Sequence, residues 1–150
     1  MPTLVEQLKI CLSDIVVLKF KAHGYHWNVE GDDFQQFHTL FGEIYADFED
    51  SIDPFAENIR KLQGLAPYKL SRFTELTELK ETSVSSDGVD MAKDLLADNE
   101  HFIGCLMDTF DVATKARQQG VANFLAERID MHQKWSWQLR AISKEEAKED

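Results

Sequence analysis

The sequence predicts an all-α protein: a four-helix bundle with a short extra helix in the connection between helices two and three. Three observations predict it. Apolar residues recur at spacings of three and four through four long stretches. Cap and breaker residues separate those stretches, and no alternating, strand-like pattern interrupts them. At 150 residues, 1–150 forms one domain, long enough to bury roughly 70% of the surface its unfolded form exposes.

The first helix opens on a capping box, Thr3-Leu4-Val5-Glu6, in which the Thr3 hydroxyl accepts from the Glu6 backbone N–H and the Glu6 side chain reaches back. Its apolar stripe is Leu4, Leu8, Cys11, Leu12, Ile15, Leu18 and Ala22. Continued at that spacing it reaches His26, which therefore points the way the core residues point. Glu30-Gly31-Asp32-Asp33 breaks the pattern and supplies an Asp N-cap for the second helix. The apolar stripe of that helix is Phe37, Phe41, Ile44, Phe48, Ile52, Phe55, Ile59 and Leu62. At about 100° per residue, His38, Gly42, Glu49, Asp53 and Glu57 share an adjoining face. Pro54 lies inside the helix and is expected to kink it, because proline has no N–H for the carbonyl of Asp50.

Gly64 reads as the left-handed residue just past the second helix, with Pro67 beyond. Ser71 to Leu79 is expected to form the short extra helix, its Phe73 and Leu76 covering the bundle edge. Thr82 to Asp87 is a loop and cap cluster. The third long helix carries Val89, Ala92, Leu95, Leu96, Phe102, Ile103, Leu106, Phe110 and Ala113, and closes before Gly120. The fourth carries Val121, Phe124, Leu125, Ile129, His132, Trp135, Leu139 and Ile142, with His132 read as a core residue. The tail from Lys144 to Asp150 is charged and expected to fray.

Net charge is −11, from 27 acids against 16 bases. Binding nucleic acid would then repel phosphates where it should release counterions. The charge suits a protein that gathers cations, and equally an ordinary acidic soluble protein. No apolar run is long enough for a membrane span, and the N-terminus lacks the pattern of a secretory signal. Cys11 and Cys105, without motif spacing, read as buried thiols in a reducing compartment. A cytoplasmic location is expected.

Histidines and carboxylates on apolar helices are costly unless something, often a metal, uses them. The usual pair for a metal site inside a bundle is Glu-x-x-His on one helix. None of His23, His26, His38, His101 and His132 completes one. Asp98-x-x-His101 comes nearest, but it turns toward solvent and reads as a surface ion pair. The remaining set is His26, His38, Asp53 and Glu57. Asp53 and Glu57, one turn apart, can hold a single ion; the alternative is a solvated polar face. His38 and Asp53 are fifteen residues apart on one helix, about 22 Å, so they cannot meet within one chain. They can meet across a two-fold axis on which two copies of helix two run antiparallel, giving two equivalent shared sites.

The run His26-Trp27-Asn28-x-x-Gly31-x-x-Phe34-x-x-x-His38, followed by Asp53-x-x-x-Glu57, resembles the Dps family of mini-ferritins. The likeness extends to Arg128-Ile129-Asp130-x-His132 and Trp137-x-Leu139-Arg140 in helix four. It implies a ferritin-like bundle and a hollow dodecamer built from two-fold dimers. It also implies ferroxidase sites at the dimer interfaces, Fe²⁺ oxidised by hydrogen peroxide or O₂, and a ferric mineral stored inside. Carried over, His26 and His38 match ligands from one subunit; Asp53 and Glu57 match the carboxylates of its partner. Trp27 matches a tryptophan beside the site, an electron donor or radical trap, or else a packing aromatic. Mixed imidazole and carboxylate ligands suit Fe²⁺ and Fe³⁺, and Zn²⁺ can compete for them.

Two departures stand out. Members of the family usually place an acid four residues after the second histidine, where this chain has Gly42. Either Glu43 reaches round, or His23 supplies a ligand, or the second iron position is weak; the last is the reading adopted, and a cage with an impaired site is the alternative function. DNA-binding members usually carry a basic tail, whereas the capped helix here begins at Thr3 and the C-terminal segment is acidic. Direct DNA binding is therefore not expected, unless divalent cations bridge. Glu127 and Asp130 match acids of the iron-entry pores, with Asn123 replacing a frequent third. Glu49 and Asp50 are weaker expectations for mineral nucleation inside the shell.

Overall fold

The computed structural model describes residues 2–144. Among them are five α-helices and no strand: α1 (Leu4–Asn28), α2 (Phe34–Lys61), α3 (Leu70–Leu76), α4 (Gly88–Lys115) and α5 (Gln119–Ile142). Four are long; α3 is the short helix of the connection. α1 lies along α2 and α4 along α5, while α1 also packs on α4 and α3. No described helix is long and apolar enough to cross a membrane. The expected fraying of the tail falls, from residue 145 on, outside the described residues.

Each helix forms for local reasons and is oriented by its stripe. The capping box of α1 is complete: the Glu6 N–H donates to Thr3 Oγ1 at 3.1 Å, and the Thr3 N–H to Glu6 Oε2 at 3.2 Å. Leu8, Cys11, Ile15, Leu18 and Ala22 of α1 meet Phe41, Ile44, Phe48, Phe55 and Ile59 of α2 in a core that Leu95, Phe102, Leu106, Leu125 and Leu139 complete. Burying each large apolar side chain is worth about 1.5–3 kcal/mol.

Three local expectations are corrected. Asp33 stands at the N-cap of α2, but its side chain caps nothing. Its backbone carbonyl still accepts from the Phe37 N–H at 3.2 Å, and the loop is tied instead by the Glu30 N–H donating to the Ser86 carbonyl at 2.9 Å. At the other end, Gln63 and not Gly64 takes the left-handed conformation, with φ 68°. The Gln63 N–H bonds the Arg60 carbonyl at 2.9 Å and the Gly64 N–H the Ile59 carbonyl at 3.0 Å, the double closure of a Schellman end. Glycine is needed at 64 for space: a Cβ there would stand 2.8 Å from Val5 Cγ1 and 3.0 Å from Ile59 Cγ2. Finally, the extra helix is Leu70–Leu76, ending short of Leu79 because Thr77 turns to bind α1. α2 itself runs unbroken through Pro54.

Candidate metal centre

His26 ends α1 and His38 lies in the second turn of α2, so the tight Val29–Asp33 turn folds one helix end beside the other. The two imidazoles stack, with centroids 3.8 Å apart and planes 13° off parallel. Their hydrogen bonds are reciprocal: His26 Nδ1 pairs with the His38 carbonyl and His38 Nδ1 with the His26 carbonyl, both at 2.6 Å. A carbonyl oxygen only accepts, so each Nδ1 carries the proton and donates. In the neutral imidazole this leaves the lone pair on Nε2, the arrangement in which backbone carbonyls orient ligating histidines.

Gly42 is part of this construction. A Cβ there would lie 2.9 Å from both Cε1 and Nδ1 of His26. The imidazole rests directly on the backbone of α2, which only glycine permits without moving the ring. Any side chain at 42, including the acid usual in the family, would require the His26 ring to shift from this seat.

The neighbouring groups divide clearly. His23 stacks on Tyr45 at 3.8 Å, 3° from parallel, and leans on Trp27 at 4.0 Å, its centroid 6.4 Å from that of His26. Partial burial, then the nearby Lys19 charge, hold its pKa below the ordinary histidine value. Trp27 is 63% exposed. Glu43 opens onto the groove between α2 and α5 with Gln36, Thr39 and Trp137, turned from the histidines. Asp53 and Glu57 are exposed, one turn apart, fifteen and nineteen residues further along α2 than His38, about 22 and 28 Å away. The chain thus brings His26 and His38 together, and places Asp53 and Glu57 elsewhere.

Of the remaining acids, Glu49 pairs with Lys19 at 3.2 Å. Asp50 and Glu127 line a common cavity of about 330 Å³ on the α2–α5 seam, so the residues expected at the mineral surface and at the pore are neighbours. Asp130 is exposed on α5. Asp98 does not pair with His101: its carboxylate takes Lys21 Nζ at 2.6 Å, which also meets Asp94 at 2.7 Å, and Asp94 accepts from Tyr25 Oη.

Sequence reasoning missed a buried polar network across α2, α4 and α5. Arg128 donates to both oxygens of Asp47 at 2.9 and 2.8 Å, and Trp135 Nε1 donates to the same carboxylate at 2.8 Å. Arg128 also donates to His132 Nε2 at 2.9 Å, while His132 Nδ1 donates to Asn99 Oδ1 at 2.7 Å. The available signal was Arg128, one turn before His132 on a core stripe, since a buried guanidinium requires an acid.

A ferritin-like domain profile matches residues 5–147. A DNA protection during starvation protein of Helicobacter pylori is 34% identical over 137 residues, covering 91% of this chain and 95% of the relative. Its namesake in Brevibacillus brevis is 30% identical over 147 residues, covering 95% and 99%. The crystal structure of the Dps protein from Vibrio cholerae O1, described as a member of a broad superfamily of ferritin-like diiron-carboxylate proteins, superposes with a TM-score of 0.90 at 28% identity, covering 94% of this chain and 89% of that one. The fold and the profile match thus define a ferritin-like protein. Within that class, the chain belongs to the Dps family.

Proposed function

We propose that this chain is the subunit of an iron-oxidising, iron-storing cage whose catalytic site is shared between two copies. One observation carries the reading. His26 and His38 are locked side by side with Nδ1 committed to backbone carbonyls, leaving Nε2 to bind metal, while the Asp53–Glu57 pair lies too far along the same helix to join them.

Fe²⁺ is the substrate. Two Fe²⁺ give two electrons to one H₂O₂, which is reduced at the O–O bond to hydroxide or water; O₂ is the alternative oxidant. His26 and His38 of one subunit hold iron from one side, Asp53 and Glu57 of the other supply the charge that favours Fe³⁺, and Trp27 stands close enough to trap a stray radical. With Gly42 occupied by the His26 ring and Glu43 turned away, we infer one firmly held iron and a weaker second position, with His23 the nearer available donor. Zn²⁺ competes for the same ligands.

The wider assembly is a dodecamer of two-fold dimers. Exposed Leu65, Tyr68 and Leu70 in the connection support a covered face of that kind. Glu127 and Asp130 draw Fe²⁺ inward, and Glu49 and Asp50 seed mineral. The relatives from Helicobacter pylori and Brevibacillus brevis are named for DNA protection; here protection would come from removing Fe²⁺ and peroxide in the cytoplasm.

The test is complementation. His38→Ala and Asp53→Ala proteins should each oxidise Fe²⁺ slowly under anaerobic peroxide, and reassembly from a mixture should restore activity, since a mixed dimer regains one intact site. No recovery overturns the shared site. A His38→Ala rate equal to that of the unaltered protein leaves only the cage.

A further inference from the structure

A second cluster of metal-ligating side chains lies where the connection crosses α1 and α4, away from the histidine pair. Asp14, in the middle of α1, is fully buried. Its Oδ1 accepts from Thr77 Oγ1 at 2.6 Å and from the Glu78 N–H at 2.9 Å. Its Oδ2 is buried without a hydrogen-bond partner. A carboxylate oxygen in that state costs several kcal/mol unless a proton or a cation satisfies it.

What surrounds it adds negative charge and sulfur. Ligand atoms of Asp14, Glu78 and Cys105 all lie within 4.8 Å of one another. Cys11 Sγ stands 3.6 Å from Cys105 Sγ, and both thiols are free. Two thiolates on one tetrahedral zinc, at about 2.3 Å each, stand about 3.8 Å apart. A cavity of about 250 Å³ reaches the cluster past Gln7, Ile10 and Thr109, and Gln7 Oε1 is a second buried acceptor without a partner. Asp14 Oδ2 and Gln7 Oε1 are thus two buried acceptors without a donor, while the donors close to the sulfurs are the thiols themselves and Thr109, whose Oγ1 lies 3.4 Å from Cys11 Sγ.

We propose that Asp14, Glu78 and Cys105, with Cys11 in reach of a fourth position, form an intra-subunit binding site for a divalent cation of the Zn²⁺ class. Thiolate with carboxylate selects a borderline ion over Mg²⁺ or Ca²⁺. On binding, the Cys105 S–H bond breaks, its proton leaves to solvent and the sulfur pair bonds the metal. The bound ion clamps the Thr77–Glu78 end of the connection to α1 and α4, so the site is structural. It shares no residue with the histidine pair, and stands or falls independently of the ferroxidase reading.

Co²⁺ serves as the probe, added to the reduced, assembled protein. The expected result is a thiolate-to-cobalt charge-transfer band saturating at one Co²⁺ per subunit, bleached by Zn²⁺, together with a Zn²⁺-dependent rise in melting temperature. Cys105→Ser should abolish the band, and His26→Ala should leave it intact. Asp14→Asn is the discriminating variant: its Oδ1 still accepts from Thr77 and Glu78, so it should fold and melt at least as high without metal, yet lose the band and the Zn²⁺ response. Absence of the band in the unaltered protein overturns the site. So does a band that survives Asp14→Asn, or one that disappears in His26→Ala.

Discussion

At position 42 two preferences oppose one another. Glycine in the middle of a helix costs about 1 kcal/mol relative to alanine, and α2 accepts that cost because the His26 ring occupies the space a Cβ would need. The residue that looks like a lost ligand in the sequence is a seat for the His26 imidazole. Gly42→Ala is therefore expected to change stability by less than about 1 kcal/mol, the helix gain opposing the displaced ring, while slowing Fe²⁺ oxidation. Loss of the slowly exchanging His26 Nδ1–H resonance should accompany it. An unaltered resonance and rate would show that the ring does not depend on glycine.

Among the elements, α2, α4 and α5 are held in register by the Asp47–Arg128–His132–Asn99 chain more specifically than by their apolar stripes. His132 is fully buried, and burial, then the Arg128 charge, holds its pKa well below the ordinary 6.5. Its Nδ1 donates to Asn99 and its Nε2 accepts from Arg128, so a second proton would break the Arg128 bond and leave two cations facing. The unfolded chain binds that proton near the ordinary value and the native chain does not. Stability contributed by His132 is thus complete above pH 6.5 and falls on acidification below it, by up to about 1.4 kcal/mol per pH unit. Denaturant midpoints measured from neutral pH down to about 5 should show a shallower loss in His132→Gln than in the unaltered protein. Equal slopes would place the pH sensitivity elsewhere, with His23, also held below the ordinary histidine value, the next group to examine.

For the whole molecule, charge and incompleteness are the governing facts. A net charge of −11 per chain, repeated through an assembly, opposes duplex DNA, because binding without released counterions lacks its main driving term. No retarded band is expected in a gel shift at low salt without Mg²⁺. A retarded complex that weakens steeply with salt would reveal a basic surface and reverse this reading. Incompleteness acts at the same scale: a helix cannot bend His38 round to Asp53, so one chain by itself carries half of each proposed site.

The fold was legible in the residues. Spacings of three and four, the Thr3–Glu6 box and the breakers at Gly31 and Pro67 are local features, and helix formation is a local event, so order, length and buried faces could be read directly. The family was legible too, because His26 through Glu57 is one unbroken stretch. What only the tertiary structure decided are contacts between helices: the His26 ring on Gly42, the Asp47–Arg128 pair 81 residues apart, and the two thiols 94 residues apart. Periodicity states which face of a helix is buried, but not the rotation and height at which that face meets its neighbour. Those two quantities turn an acidic residue, a connection and two cysteines without motif spacing into one cluster.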